Sequence, residues 1–333
     1  MPGTTCKDMA VDDQHKKNFA SRGSLSDWQA VALTCIALTM PLLMPGFGWL
    51  YAFVPLPPFY FMVIEGQQKG IWIAGWAVLI TGTAAVLLHG GGFFVFTASF
   101  LAVSVSLARS LRLRHDPAAS AFRASAALLV AWLFFAAGYG VMHKNSLYAD
   151  LLASIDRGVE AAYPIYMEST DLSSSLKEEI TASFTSVRQT LPKILPSLLA
   201  LWLIATVWLT MTVGAHLIRK RKPERMTWPP YRDWRLPEIT VWAVIASGLM
   251  LFVPGAGTRL WGLNGLIVCT VLYFFQGLAV LGTLLNRWRV PPAVKFLIYL
   301  LTLMQLYGLL FLSVIGLIDV WADFKKPRGT STM

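Results

Sequence analysis

The chain has 333 residues, 56% of them apolar and 14% charged, with a mean hydropathy of +0.56. Soluble domains carry roughly a quarter charged residues, so this balance excludes an ordinary soluble fold and points to a helical membrane bundle. The net charge of +10 is no nucleic-acid footprint, because the cations gather in short runs between apolar stretches.

Residues 1–26 form a polar tail in which Lys7, Lys16, Lys17 and Arg22 stand beside Asp8, Asp12 and Asp13. It has no apolar core and no small-residue cleavage site, so it does not read as a signal peptide. The first apolar stretch is expected to act as an uncleaved signal anchor. Crossing a bilayer takes about 20 apolar residues. Stretches of nearly that length or more occupy 28–44, 49–65, 71–88, 93–109, 121–142, 194–218, 236–254, 262–285 and 294–318. The expected fold is all-α, a polytopic bundle of about nine transmembrane helices, or eight if the second stretch is miscounted. Its parts are a six-span unit over 27–218, a basic loop over 219–235, three further spans over 236–320 and a polar tail over 321–333.

The second stretch, PGFGWLYAFVPLPPFYFMVIEG, is broken by Gly46, Gly48, Pro55, Pro57 and Pro58. Irregular backbone at membrane depth is tolerated where protein or a watery cavity satisfies its polar groups. A cavity around 46–60 is therefore expected, lined by Trp49, Tyr51, Tyr60 and Glu65. Beside Lys69, Glu65 also reads as an interfacial carboxylate.

Three groups of cations separate the spans: Arg109, Arg112, Arg114 and Arg123; Arg219, Lys220, Arg221, Lys222, Arg225, Arg232 and Arg235; and Arg287, Arg289 and Lys295. With the amino terminus inside, all three are expected in the cytoplasm, as the positive-inside rule requires. The turn at His89–Gly92, the GAGTR turn after Pro254 and the segment 143–193 then face outward. Nine spans would place Lys325, Lys326 and Arg328 outside, against the same rule.

Segment 143–193 is too polar to span, yet Leu147, Leu151, Ile155 and Val159 recur every four residues. After an interruption at Pro164, Leu176, Ile180, Phe184, Val187 and Leu191 repeat with helical spacing. Ser175 and Glu178 fit a capping box. Two amphipathic outer helices are expected, resting on the bundle or membrane surface or closing over the cavity. The 219–235 loop interleaves its cations with Trp228, Tyr231 and Trp234. Interfacial aromatics and inside cations explain that pattern better than nucleic acid does, and anionic lipid or a cytoplasmic partner is the further partner it suits. Leu236, Pro237 and Glu238 read as a helix start.

Polar residues inside spans are costly and face the bundle interior. Asn264 and Gln276 are twelve residues apart, which is about 18 Å and roughly 120° on a helix. Each is therefore assigned an interhelical hydrogen bond rather than a shared ligand, and Gln305 likewise. Asp319 and Asp323 share a helix face. Cys6, Cys35 and Cys269 show no pairing pattern, and His15, His89, His115, His143 and His216 show no ligand spacing. A phosphate-binding loop and a nucleophile elbow are both absent. No catalytic constellation, metal or cofactor is expected, and any ATP-driven transport would need an ATPase on another chain.

Four stretches, PLPPFYFMVIEGQQKG, WRLPEITVW, LNGLIVCTVLYFFQGLAVLGTLL and GLIDVWADFKKPRG, resemble the YybS-like bacterial membrane proteins, a family of unknown function numbered 2232. The resemblance runs from about Asp27 to Arg328. It implies that the first six spans are similar to the substrate-binding S-components of energy-coupling-factor transporters, which work with a separate transmembrane partner. The AxxxA coupling motif of such components is not strictly present, since Thr34 follows Ala30 at that spacing and Ile36 follows Ala32. The leading expectation is a small-molecule-binding subunit of transport type. The alternative is a structural or assembly protein acting through its basic loops and outer helices.

Overall fold

The computed structural model describes residues 26–44, 46–88, 91–167, 173–322 and 324, and among these the regular structure is helical throughout. The helices are α1 (Asp27–Leu43), α2 (Leu56–Ile64), α3 (Gln67–Leu88), α4 (Gly91–Ser99), α5 (Leu101–Arg112), α6 (Pro117–His143) and α7 (Leu147–Met167). They continue with α8 (Ser174–Arg221), α9 (Ile239–Met250), α10 (Ala256–Arg287), α11 (Pro292–Met304) and α12 (Leu306–Ala322). A 3-10 turn, Gly48–Phe53, precedes α2. The amino-terminal tail, Cys6, His15, His89, Asp323, Lys325, Lys326 and Arg328 lie outside the described residues.

Local chemistry sets the helix ends. Ser26 and Gln29 form a reciprocal capping box at α1, and the Asp116 carboxylate caps α6, with Pro117 at its first position. At α8 the cap is Ser173, whose hydroxyl accepts the Leu176 N–H. Ser175 is therefore inside the helix, and the expected Ser175–Glu178 box does not form. Pro164 likewise lies within α7 rather than interrupting it.

Two ends of the bundle are distinguishable. The basic end gathers the carboxyl ends of α5, α8 and α10 with the loop between α8 and α9. From the other end projects a hairpin of α7 and the first turns of α8. Arg188 pairs across it with Asp156 at 2.9 Å and Glu160 at 3.3 Å, and Phe184 meets the Tyr163 and Tyr166 rings. No residue of α7 is buried. Hairpin arm and span are one helix of 48 residues, about 72 Å long at 1.5 Å per residue.

Five helical segments are long and apolar enough to cross a membrane: 67–87, 94–112, 117–143, 174–221 and 256–287. The expected count of nine is not confirmed. Helix α1 has 17 residues and α9 has 12, about 25 and 18 Å against a hydrocarbon core of about 30 Å. The second stretch is a 3-10 turn and a nine-residue helix. The last stretch makes at most a sixth span, because α11 and α12 are bent by 105° at their break.

That bent pair lies against one half of α10. Lys295 on α11 donates to Asn286 at 2.6 Å, and Ser313 on α12 donates to the Thr270 carbonyl at 2.8 Å. Asp319 meets Gln276, so α12 packs on α10 between Thr270 and Gly277. Gln305 sits exposed at the break in extended backbone, not in an interhelical hydrogen bond as expected.

Candidate functional site

The broken second stretch threads the amino-terminal bundle. Proline lacks an N–H and suits the first turn of a helix, so Pro55, Pro57 and Pro58 end the 3-10 turn and start α2. Neighbours satisfy the interrupted backbone: the buried Ser104 hydroxyl donates to the Pro55 carbonyl at 2.7 Å. At the far end of α2, Arg225 donates to the carbonyls of Val63 and Ile64 at 2.8 and 3.0 Å, and Lys222 to Ile64 at 3.0 Å. Cations there complement the negative end of the helix dipole and cap its last carbonyls. Gly66 then turns the chain at φ +102°, a conformation that favours glycine.

The loop 222–238 packs under this short helix. Trp228 is 3% exposed, stacks on Phe59 with centroids 6.1 Å apart and donates its indole N–H to the His115 carbonyl at 3.1 Å. Arg219 donates to the Trp228 carbonyl at 2.8 Å. The expectation that Trp228 anchors the chain at the membrane interface is thus corrected. It is a core residue, and three cations of the loop bind the chain's own carbonyls. Tyr231 is fixed by its hydroxyl donating to the Phe275 carbonyl, and burial pushes its phenol pKa above the ordinary value.

At the other end of the broken stretch the rings gather. Tyr51 stacks on Phe100 at 5.8 Å and meets Phe96 and Trp202 edge-on at 5.4 and 6.2 Å. Trp132 from α6 lies over Phe96 at 6.0 Å and beside Trp202 at 6.2 Å. Phe100 is fully buried, while Tyr51, Phe96, Trp132 and Trp202 are half-buried. The Trp132 indole nitrogen is buried and has no hydrogen-bond partner among the described residues. From Trp132 the rings of Phe135, Tyr139 and His143 continue along α6 to the hairpin end. There the Tyr139 hydroxyl donates to Asp150 of α7 at 2.8 Å.

The four residues expected to line one cavity share no partner. Trp49 is 57% exposed and touches Phe47 and Phe53. Tyr51 belongs to the ring cluster. Tyr60 lies near the basic end, 3.5 Å from Arg221. Glu65 faces Lys69 at 3.6 Å, and Lys69 also pairs with Asp27 at 2.6 Å. Trp132, Trp202 and Phe96 were not foreseen, although positions 132, 135, 139 and 143 carry helical spacing on one face.

The carboxyl-terminal unit holds a second polar cluster. Gln276 accepts the Leu236 N–H at 3.0 Å and donates to the buried Asp319 carboxylate at 3.2 Å, which also accepts the Phe324 N–H at 3.0 Å. Asn264 bonds α8, so both amides work between elements as their spacing implied. No group of three or more metal-ligating side chains occurs among the described residues.

A family model described as a predicted membrane protein (DUF2232) matches residues 31–320. No curated protein and no solved structure matches the chain, and the expected likeness of the first six spans to S-components is not confirmed.

Proposed function

This chain belongs to the DUF2232 family of predicted membrane proteins, and from that premise we propose that it is a small-molecule-binding subunit of transport type with no ATPase of its own. The observation that carries this reading is the ring cluster of Tyr51, Phe96, Trp132 and Trp202 beside the broken second stretch. Discontinuous helices at membrane depth are a recurrent way of building a binding site in a bundle, and concave sites are mostly aromatic with few polar groups. In this reading the protein sits in the bacterial inner membrane, amino terminus and basic end inside, with the hairpin outside. Its partner is a separate ATPase or coupling subunit. Exposed Lys220, Arg221 and Arg232 suit the headgroups of anionic lipids.

A second reading, a structural or assembly protein, is favoured by the hairpin, which leaves Ile165, Tyr166, Leu176 and Val187 exposed. Purification from native membranes in mild detergent, with mass spectrometry of co-purifying proteins and small molecules, separates the two. A reproducible metabolite or a stoichiometric ATPase supports the binding subunit. Recovery of other proteins that is lost on deleting the hairpin tip, with no metabolite, supports the assembly role and overturns the first.

A further inference from the structure

We infer that the site around Trp132 takes a flat, uncharged aromatic molecule bearing a hydrogen-bond acceptor, and that the acceptor meets the Trp132 indole N–H. This rests on the binding-subunit reading and narrows it to a substrate class.

Three features of the cluster set that class. Its surface is made of ring faces and edges, and Tyr51, Phe96, Trp132, Phe135 and Trp202 remain half-buried around the fully buried Phe100. Offset and edge-on contacts of such rings favour a planar aromatic guest. None of these side chains carries a charge, and at membrane depth an unpaired ionic group on the guest would be strongly disfavoured. The indole nitrogen of Trp132 is a buried donor without a partner among the described residues. Leaving such a donor unpaired is unfavourable, and a guest carbonyl or ring nitrogen recovers that cost. Because the nitrogen is covered, a guest reaches it only as neighbouring side chains give way.

The row of rings defines the approach. Trp132, Phe135, Tyr139 and His143 follow one another along one side of α6, the last two stacked at 4.0 Å. Eleven residues of helix span about 16 Å, the distance from the hairpin end to the cluster. The Tyr139–Asp150 bond ties the mouth of this track to the base of α7.

The test is saturable binding of tritiated menadione, a flat uncharged molecule with two carbonyl acceptors, to the full chain in lipid nanodiscs, with empty nanodiscs as the partition control. 2-Methylnaphthalene, which has nearly the same shape and no acceptor, should compete at least tenfold less well. Trp132→Phe keeps a ring and removes the N–H, so the menadione Kd should rise about five- to tenfold, the worth of one net hydrogen bond. Trp242→Phe, on an exposed position of α9, should leave it unchanged. Equal competition by the two probes, equal affinity of the Trp132→Phe protein, or uptake no greater than by empty nanodiscs overturns the inference. If Trp132→Phe fails to fold, the comparison of the two probes on the unmodified chain decides. A charged metabolite found by co-purification would leave the binding-subunit reading standing and sink this one alone.

Discussion

The side-chain amide of Asn264 bridges the interrupted backbone of α8 at Ser197. Its Oδ1 accepts the Ser197 N–H at 2.9 Å, and its Nδ2 donates to the Lys193 carbonyl at 2.9 Å. Those are the two groups that an uninterrupted helix pairs with each other. The break follows from Pro192 and Pro196 inside α8. Proline at 196 also releases the Pro192 carbonyl, which accepts the Tyr148 hydroxyl at 3.4 Å. One residue of α10 thus joins the hairpin-bearing helix to the carboxyl-terminal unit.

Replacing Asn264 by Leu keeps its volume and strands both backbone groups. A loss of about 2–4 kcal/mol is expected, read as a lower midpoint of SDS or thermal unfolding in detergent. Gln189→Leu, at an exposed position of α8, should change the midpoint little.

Gly277 on α10 and Gly316 on α12 let the two backbones touch. A Cβ on Gly277 would overlap the Leu312 carbonyl, and one on Gly316 would overlap the Tyr273 carbonyl. Small residues at such crossings permit close helix approach in membranes. Gly277→Ala or Gly316→Ala should cost about 1–3 kcal/mol. Gly257→Ala, where nothing lies within 4 Å, should be neutral or mildly stabilising. A trypsin time course that releases the carboxyl-terminal segment faster from the first two variants is the check.

With α11 and α12 bent by 105° at their break as a re-entrant pair, position 324 is expected to face the same side as Arg232. Single cysteines at 232 and 324, in a background without Cys6, Cys35 and Cys269, should react with a membrane-impermeant maleimide from one and the same side of vesicles. Labelling from opposite sides would make the α11–α12 pair a crossing.

Arg225 closes the carbonyl end of α2. Arg225→Met retains the apolar stem and removes the two hydrogen bonds, with an expected loss of about 1–3 kcal/mol. Arg232→Met should be within about 0.5 kcal/mol of the parent, as for exposed surface positions. Chemical denaturation of both variants side by side gives the comparison.

Burial raises the Tyr231 pKa. A phenol whose folded value lies above its unfolded value, about 10, stabilises fully below pH 10. It loses that contribution as pH rises through the folded value. The unmodified protein should therefore melt progressively lower above pH 10, and Tyr231→Phe should show a shallower decline over the same range.

The membrane class, the gathering of cations between apolar stretches and the break at Pro55–Pro58 were legible in the sequence, because they depend on composition and on the missing proline N–H. Asn264 and Gln276 were legible as interhelical donors, since buried amides in spans need partners. Which partners they found was not. Asn264 bonds a helix interrupted some seventy residues earlier, and no local pattern encodes that meeting. The fate of Arg219, Lys222 and Arg225 was equally hidden: as a charge run they resembled a solvated face, but the tertiary structure turned them onto the chain's own carbonyls. Hydropathy also could not distinguish a crossing from the bent pair α11–α12, because both are apolar over similar lengths. Only long-range contacts, Gly277 with Leu312 and Gln276 with Asp319, place the pair against α10. Residue chemistry alone determined that this chain lives in a bilayer and where its backbone breaks. Long-range packing decided what fills the breaks and which rings converge around Trp132.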